Sequence, residues 1–95
     1  MPAYLIADIE VIDADGFGEY RAKVPDAIAA HGGRYLARGG ALEVLEGAWN
    51  PSRCVIVEFP SMAALKAFYD APEYAALLEL RKRTTRTNLV ALEGV

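Results

Sequence analysis

GGRYLARGG, residues 32–40, followed closely by LEGAWNPSR, residues 45–53, is the stretch that decides the fold. It sets a short run, RYLAR, between two glycine pairs, so the backbone is free to turn at both ends of a strand over 34–38. Gly39-Gly40 fits either a two-residue hairpin turn or a bulge within one long strand. In both cases residues 42–48 are expected to continue as strand. Asn50-Pro51-Ser52 then makes a turn, and CVIVEF, 54–59, is a strong strand of β-branched and aromatic residues. No Gly-rich loop in this region leaves a strand to open a helix, which disfavours nucleotide binding.

Upstream, residues 3–11 alternate as a strand, with Leu5, Ala7, Ile9 and Val11 on one face and Tyr4, Ile6, Asp8 and Glu10 on the other. Asp13 and Asp15 supply an N-cap and an acidic first turn. A helix to about His31 follows, its stripe made by Phe17, Tyr20, Val24, Ile28 and His31. Pro25 lacks an N–H, so a kink or a break into two short helices is expected there. Gly32-Gly33 ends the helix. Downstream, Ser61 caps a helix whose Met62, Leu65, Phe68 and Tyr69 point inward. Asp70-Ala71-Pro72 stops it, and Pro72 starts another over 73–84, with Tyr74, Leu77, Leu78 and Arg81 on one face. TNLVALEGV, 87–95, closes the chain as a strand.

The order βα, two or three strands, αα, β predicts an α+β fold of the ferredoxin-like split βαβ type in one domain, 1–95. Both helical segments then cover one face of an antiparallel sheet and leave the other bare. The covered side carries Leu5, Ala7, Ile9 and Val11 with Val55, Val57 and Phe59. The opposite side carries Asp8, Glu10 and Glu58, joined by Arg34 and Arg38 as long as the second strand keeps register.

Ninety-five residues with 54% hydrophobic composition are rich in apolar surface for so small a body, which favours a homodimer. A net charge of −3 argues against nucleic acid as a partner. Arg81, Lys82, Arg83 and Arg86 read as cations complementing a helix C-terminus, with a phosphate or anion site as the other reading. Cys54 is a lone thiol in an apolar run, read as buried and reduced. The first residues, MPAYLIADIEV, have no signal-peptide or membrane-spanning pattern, so a cytoplasmic protein is expected.

GGRYLARGG, LEGAWNPSR, VEFPS at 57–61, FYDAPEYAAL at 68–77 and RTNLVALEGV at 86–95 together resemble the family called domain of unknown function 1330, over essentially the whole chain. The resemblance implies a ferredoxin-like dimeric α+β barrel, in which two sheets pack face to face and the partner covers the bare side. It also implies a superfamily that includes cofactor-independent monooxygenases, small lactone isomerases, chlorite dismutase-like haem proteins and stress-response dimers. The family lacks an agreed reaction, so the resemblance fixes no chemistry.

The sequence supplies no catalytic motif. Arg34, Arg38, Glu58, Tyr20, Tyr69 and Trp49 are expected to converge on a cleft between helices and sheet, with Tyr74 beside them. In an enzyme acting there without a cofactor on a small organic carbonyl or acid, an arginine holds the anion. Glu58 or Asp8 moves a proton, and Tyr20 or Tyr69 donates to oxygen. The other reading is a non-catalytic ligand-binding or stress-response module using Arg34, Arg38, Trp49, Tyr69 and Tyr74. Structural roles stand beside both: salt bridges fixing a dimer register, packed tyrosine rings, Trp49 as a plug on a partner, and His31 completing a helix dipole. With one histidine and one cysteine, a metal or haem site is not expected.

Overall fold

The computed structural model describes residues 1–95. Strands β1 (Ala3–Val11), β2 (Arg34–Arg38), β3 (Cys54–Phe59) and β4 (Thr85–Glu93) form one sheet in the order β2-β3-β1-β4, every neighbouring pair antiparallel. Helix α1 (Ala14–Ala29) links β1 to β2, while α2 (Met62–Asp70) and α3 (Pro72–Thr84) link β3 to β4. This is the ferredoxin-like arrangement. One face of the sheet packs on the helices through Ala3, Ala7, Ile9, Val57 and Phe59, all buried against Phe17, Tyr20, Leu65 and Phe68. Pairing carries the alternation across the sheet: Ala7 faces Val55 and Leu89, and Leu5 faces Val57 and Ala91. The other face exposes Val90 at 58% and Leu92 at 56%.

Local signals account for the element ends. The Asp13 carboxylate accepts from Gly16 N–H at the start of α1, and Ser61 Oγ accepts from Ala64 N–H at the start of α2. Pro72 opens α3 at a position where no N–H is needed. Beyond Ala29, Gly32 N–H bonds Ala29 C=O and Gly33 N–H bonds Ile28 C=O, with Gly32 at φ 77°. That Schellman pattern carries the last turn through His31 before β2 begins.

The structure corrects four expectations. Residues 42–48 are not a strand: from Gly39, at φ 70°, the chain leaves the sheet and stays irregular until Cys54. Gly39-Gly40 is therefore neither a hairpin turn nor a bulge, and β2 is left as an edge strand. Helix α1 runs unbroken through Pro25. β4 starts at Thr85 directly from α3, two residues earlier than read, and Thr84 C=O accepts from both Ile12 and Asp13 N–H at 2.9 and 3.0 Å.

The fourth correction moves an arginine. β2 has a bulge between Tyr35 and Ala37, so Arg34 pairs with Glu58 but Arg38 pairs with Val55. One extra residue flips the later side chains to the other face. Arg34 stays on the bare side, whereas Arg38 turns under the helices. There it meets the effect of Pro25. Proline has no N–H for the carbonyl four residues earlier, and Arg38 Nη2 donates to that carbonyl, Arg21 O, at 2.7 Å. The helix survives its proline because a strand side chain supplies the missing donor.

Pro25→Ala should restore the intrahelical donor and raise stability by roughly 1–2 kcal/mol, the helix gain less the lost rigidity of the unfolded chain. It should also release Arg38, seen as faster exchange of its guanidinium protons by NMR. An unchanged Arg38 signal would separate it from the proline.

Candidate functional site

Between α1, α3 and the sheet lies a cavity of about 50 Å³. Apolar side chains make most of its wall, among them Phe17, Val24, Ile28, Val57 and Phe68. Three tyrosines enter it: Tyr20 from α1, Tyr35 from β2 and Tyr74 from α3. Four arginines complete the lining, namely Arg21, Arg38, Arg53 and Arg81, and no aspartate or glutamate is part of it. None of the four forms an ion pair, since the salt bridges of the chain are Lys23–Glu19, His31–Glu73, Arg34–Glu58 and Arg86–Glu10.

Two of these cations, Arg38 and Arg53, are held by specific neighbours. Arg38 bonds Arg21 O and lies 4.6 Å over the Tyr35 ring. Arg53, immediately before β3, places its guanidinium 5.6 Å from the Phe17 centroid. It rests against Gly39, where a Cβ would collide with Nη1. Gly39 thus serves twice, for its positive φ and for the space it yields. Arg81 is 6% exposed on the inner face of α3. The Arg53 Nε–H is buried with no hydrogen-bond partner. Desolvation lowers the Arg53 pKa, and the neighbouring Arg21 and Arg38 charges push it the same way. The guanidinium nevertheless stays protonated.

Tyr20 and Tyr74 share a hydrogen bond, OH to OH, at 2.9 Å. Burial first, then Tyr74, raises the Tyr20 phenol far above its usual range. Burial also raises Tyr35, against the opposing pull of Arg38. These hydroxyls are hydrogen-bond donors at neutral pH, not bases.

The residues singled out from sequence divide between the two faces. Tyr20, Arg38 and Tyr74 are in the cavity. Glu58 and Arg34 pair on the bare side at 2.8 Å, with the Arg34 side chain 70% exposed. Asp8 is also on that side, where it accepts from Trp49 Nε1 at 3.2 Å and from Ser52 N–H at 3.0 Å. Asp8 therefore ties down the irregular 39–53 segment, and Trp49 stands 65% exposed upon it. Tyr69 lies outside the cavity, on shallow grooves beside Leu89. Arg21, Arg53, Arg81 and Tyr35 were not singled out for the cleft. Arg53 continues the alternation of Val55, Val57 and Phe59 by one step, and Arg81 continues the α3 stripe from Tyr74. Those periodicities were the available signals.

No group of three His, Cys, Asp or Glu side chains is arranged to hold a metal, and no helix is long and apolar enough to cross a membrane.

The fold and its buried cleft define a ferredoxin-like α+β protein. The family model described as Domain of unknown function (DUF1330) matches residues 2–95, and the chain belongs to that family. Among solved structures it is similar to a protein of unknown function from Rhodopseudomonas palustris, at 18% identity and a TM-score of 0.81, covering 99% of this chain and 82% of that one. It is also similar to a dimeric ferredoxin-like protein of unknown function from Jannaschia sp. CCS1, at 18% identity and a TM-score of 0.73, covering 99% of this chain and 100% of that one. No curated relative matches the chain at a significant level.

The raised tyrosines have a consequence for alkaline stability. A phenol whose folded pKa exceeds its unfolded value near 10 contributes fully below pH 10 and loses that contribution as pH rises further. Stability should therefore fall above about pH 10, and less steeply in Tyr20→Phe. In an ultraviolet titration of the five tyrosines, the Tyr20 and Tyr35 phenolates should form last, with Tyr20 waiting for unfolding. A single transition near pH 10 for all of them would contradict the described burial.

Proposed function

We propose that the helix–sheet cleft binds a small organic acid through its carboxylate. The observation that carries this reading is the buried, unpartnered Nε–H of Arg53, in a cavity with four guanidiniums and no carboxylate. Guanidinium is the group that recognises carboxylates by paired hydrogen bonds, and a buried N–H without a partner gains one when an anion arrives. The tyrosine hydroxyls add donors beside the arginines.

Binding without turnover is favoured over catalysis. An enzyme that moves a proton in this cleft needs an acceptor there. Glu58 and Asp8, the sequence's candidates, lie across the sheet with partners of their own. Tyr20 is held protonated. The same donors suit a reaction in which negative charge develops on oxygen, by electrostatic stabilisation alone. A homodimer is part of the proposal. The exposed Val90 and Leu92, with Leu45 and Trp49 of the 39–53 segment, give the bare face apolar surface to cover, and the Jannaschia neighbour is described as dimeric.

Two measurements test the reading. A small monocarboxylate at about a hundred times its Kd should stabilise the fold by about 2.7 kcal/mol, a Tm rise of roughly 10–20 °C for a domain this size. Arg53→Gln should remove most of that rise, and an equal rise in the variant would place the acid elsewhere. Light scattering should give about twice the chain mass of 10.3 kDa; a monomer at micromolar concentration would refute the dimer.

A further inference from the structure

The cavity is small. About 50 Å³ admits a carboxylate or a few waters, but not the body of an acid of ordinary size. What adjoins it therefore decides which acids fit. Leu5 and Leu89 line the cavity and also line a second, apolar groove of about 230 Å³ between α2 and β4. Leu65, Tyr69, Val90 and Ala91 form the rest of its apolar wall, and Lys66 and Asp70 stand at its polar side. The two spaces are thus separated by two leucine side chains. Both leucines are half-buried.

A polar groove of about 290 Å³ also adjoins the cavity, through Arg81 and Leu89, and it is lined by Lys82, Thr85 and Thr87. A second anionic group on the ligand would suit that side. The apolar side has the better claim. Thr85 Oγ1 is already bonded to Arg81 O at 2.6 Å and to Thr87 Oγ1 at 2.8 Å, so the polar groove's hydroxyls are occupied by one another. The apolar groove offers unsatisfied hydrophobic surface that an alkyl chain would remove from water.

Building on the proposed carboxylate site, we infer that the ligand class is an amphiphilic monocarboxylate, its head at Arg53 and Arg38 and its unbranched apolar tail passing Leu5 and Leu89 into the α2–β4 groove. Head and tail then have separable determinants. The arginines set whether an acid binds, and the groove sets how affinity grows with chain length. Each methylene that enters the groove should tighten binding by up to roughly fourfold. The growth should stop when the groove is filled.

The test is calorimetric titration of the intact protein with straight-chain acids from propionate to decanoate, and with dicarboxylates of matching length. Ala91 lines the groove, does not touch the cavity, and is exposed on β4. Ala91→Phe therefore narrows the groove at a strand position where an aromatic residue is well tolerated. Leu89→Trp blocks the passage itself, as a second variant. The inference expects affinity rising stepwise with length in the natural sequence. In Ala91→Phe that gain should be lost while propionate binds as before. An affinity independent of length would overturn the tail assignment and leave the carboxylate site standing. Dicarboxylates binding more tightly than monocarboxylates of equal length would overturn it in favour of the polar groove. Equal weakening of short and long acids in Ala91→Phe would also overturn it. No binding of any acid would overturn the carboxylate site and the tail together.

Discussion

Four guanidiniums in one cleft, with no carboxylate to neutralise them, are the condition to which much of this structure answers. Charge of one sign repels itself; Arg81 is buried, Arg38 and Arg53 are half-buried, and Arg21 stays in reach of solvent. The fold meets that cost with groups that are not acids. The Arg21 carbonyl, left free by Pro25, accepts from Arg38. The faces of Tyr35 and Phe17 lie against Arg38 and Arg53. Gly39 has no side chain where Arg53 needs room. These contacts hold Arg38 and Arg53 in position, yet none removes their charge. A site organised around positive charge that the chain itself leaves unneutralised is suited to receive an anion from outside.

The sheet separates this cleft from a different chemistry on its other side. There the charges are paired locally, Arg34 with Glu58, and Asp8 with the backbone and indole of the 39–53 segment. Val90 and Leu92 stand exposed on the neighbouring edge strand β4, and Leu45 and Trp49 on the segment itself. One face thus concentrates unpaired cations among apolar and aromatic side chains, while the other alternates satisfied polar groups with exposed hydrophobic ones. The first pattern supports the proposed carboxylate site, and the second supports the proposed dimer.

Much of the architecture was legible in the sequence. Caps at Asp13 and Ser61, the glycine pair after His31, Pro72 and the alternation of 3–11 and 54–59 each specify a local geometry that tertiary packing does not override. The 42–48 stretch departs from the strand expected of it. A strand needs a partner, and beyond Gly39 the chain has left the sheet. Pro25 was read as a break because the compensating donor comes from Arg38, distant in sequence. The site was half legible. Tyr20 and Tyr74 followed from helix periodicity, and Arg53 and Arg81 were within reach of the same reasoning. Arg38 was assigned to the wrong face because a bulge at Leu36 leaves no mark in composition, and that one residue separates it from Arg34.

The central claim is that the Arg53 Nε–H donates to a bound carboxylate, and side-chain NMR observes that proton directly. In a titration with a straight-chain carboxylate, the account predicts a saturable downfield shift of the Arg53 Hε signal. The Arg34 Hε, already bonded to Glu58 on the opposite face, should remain in place and serves as the internal control. An Arg53 signal that does not move at saturating acid would contradict the account. So would arginine signals that drift together without saturation.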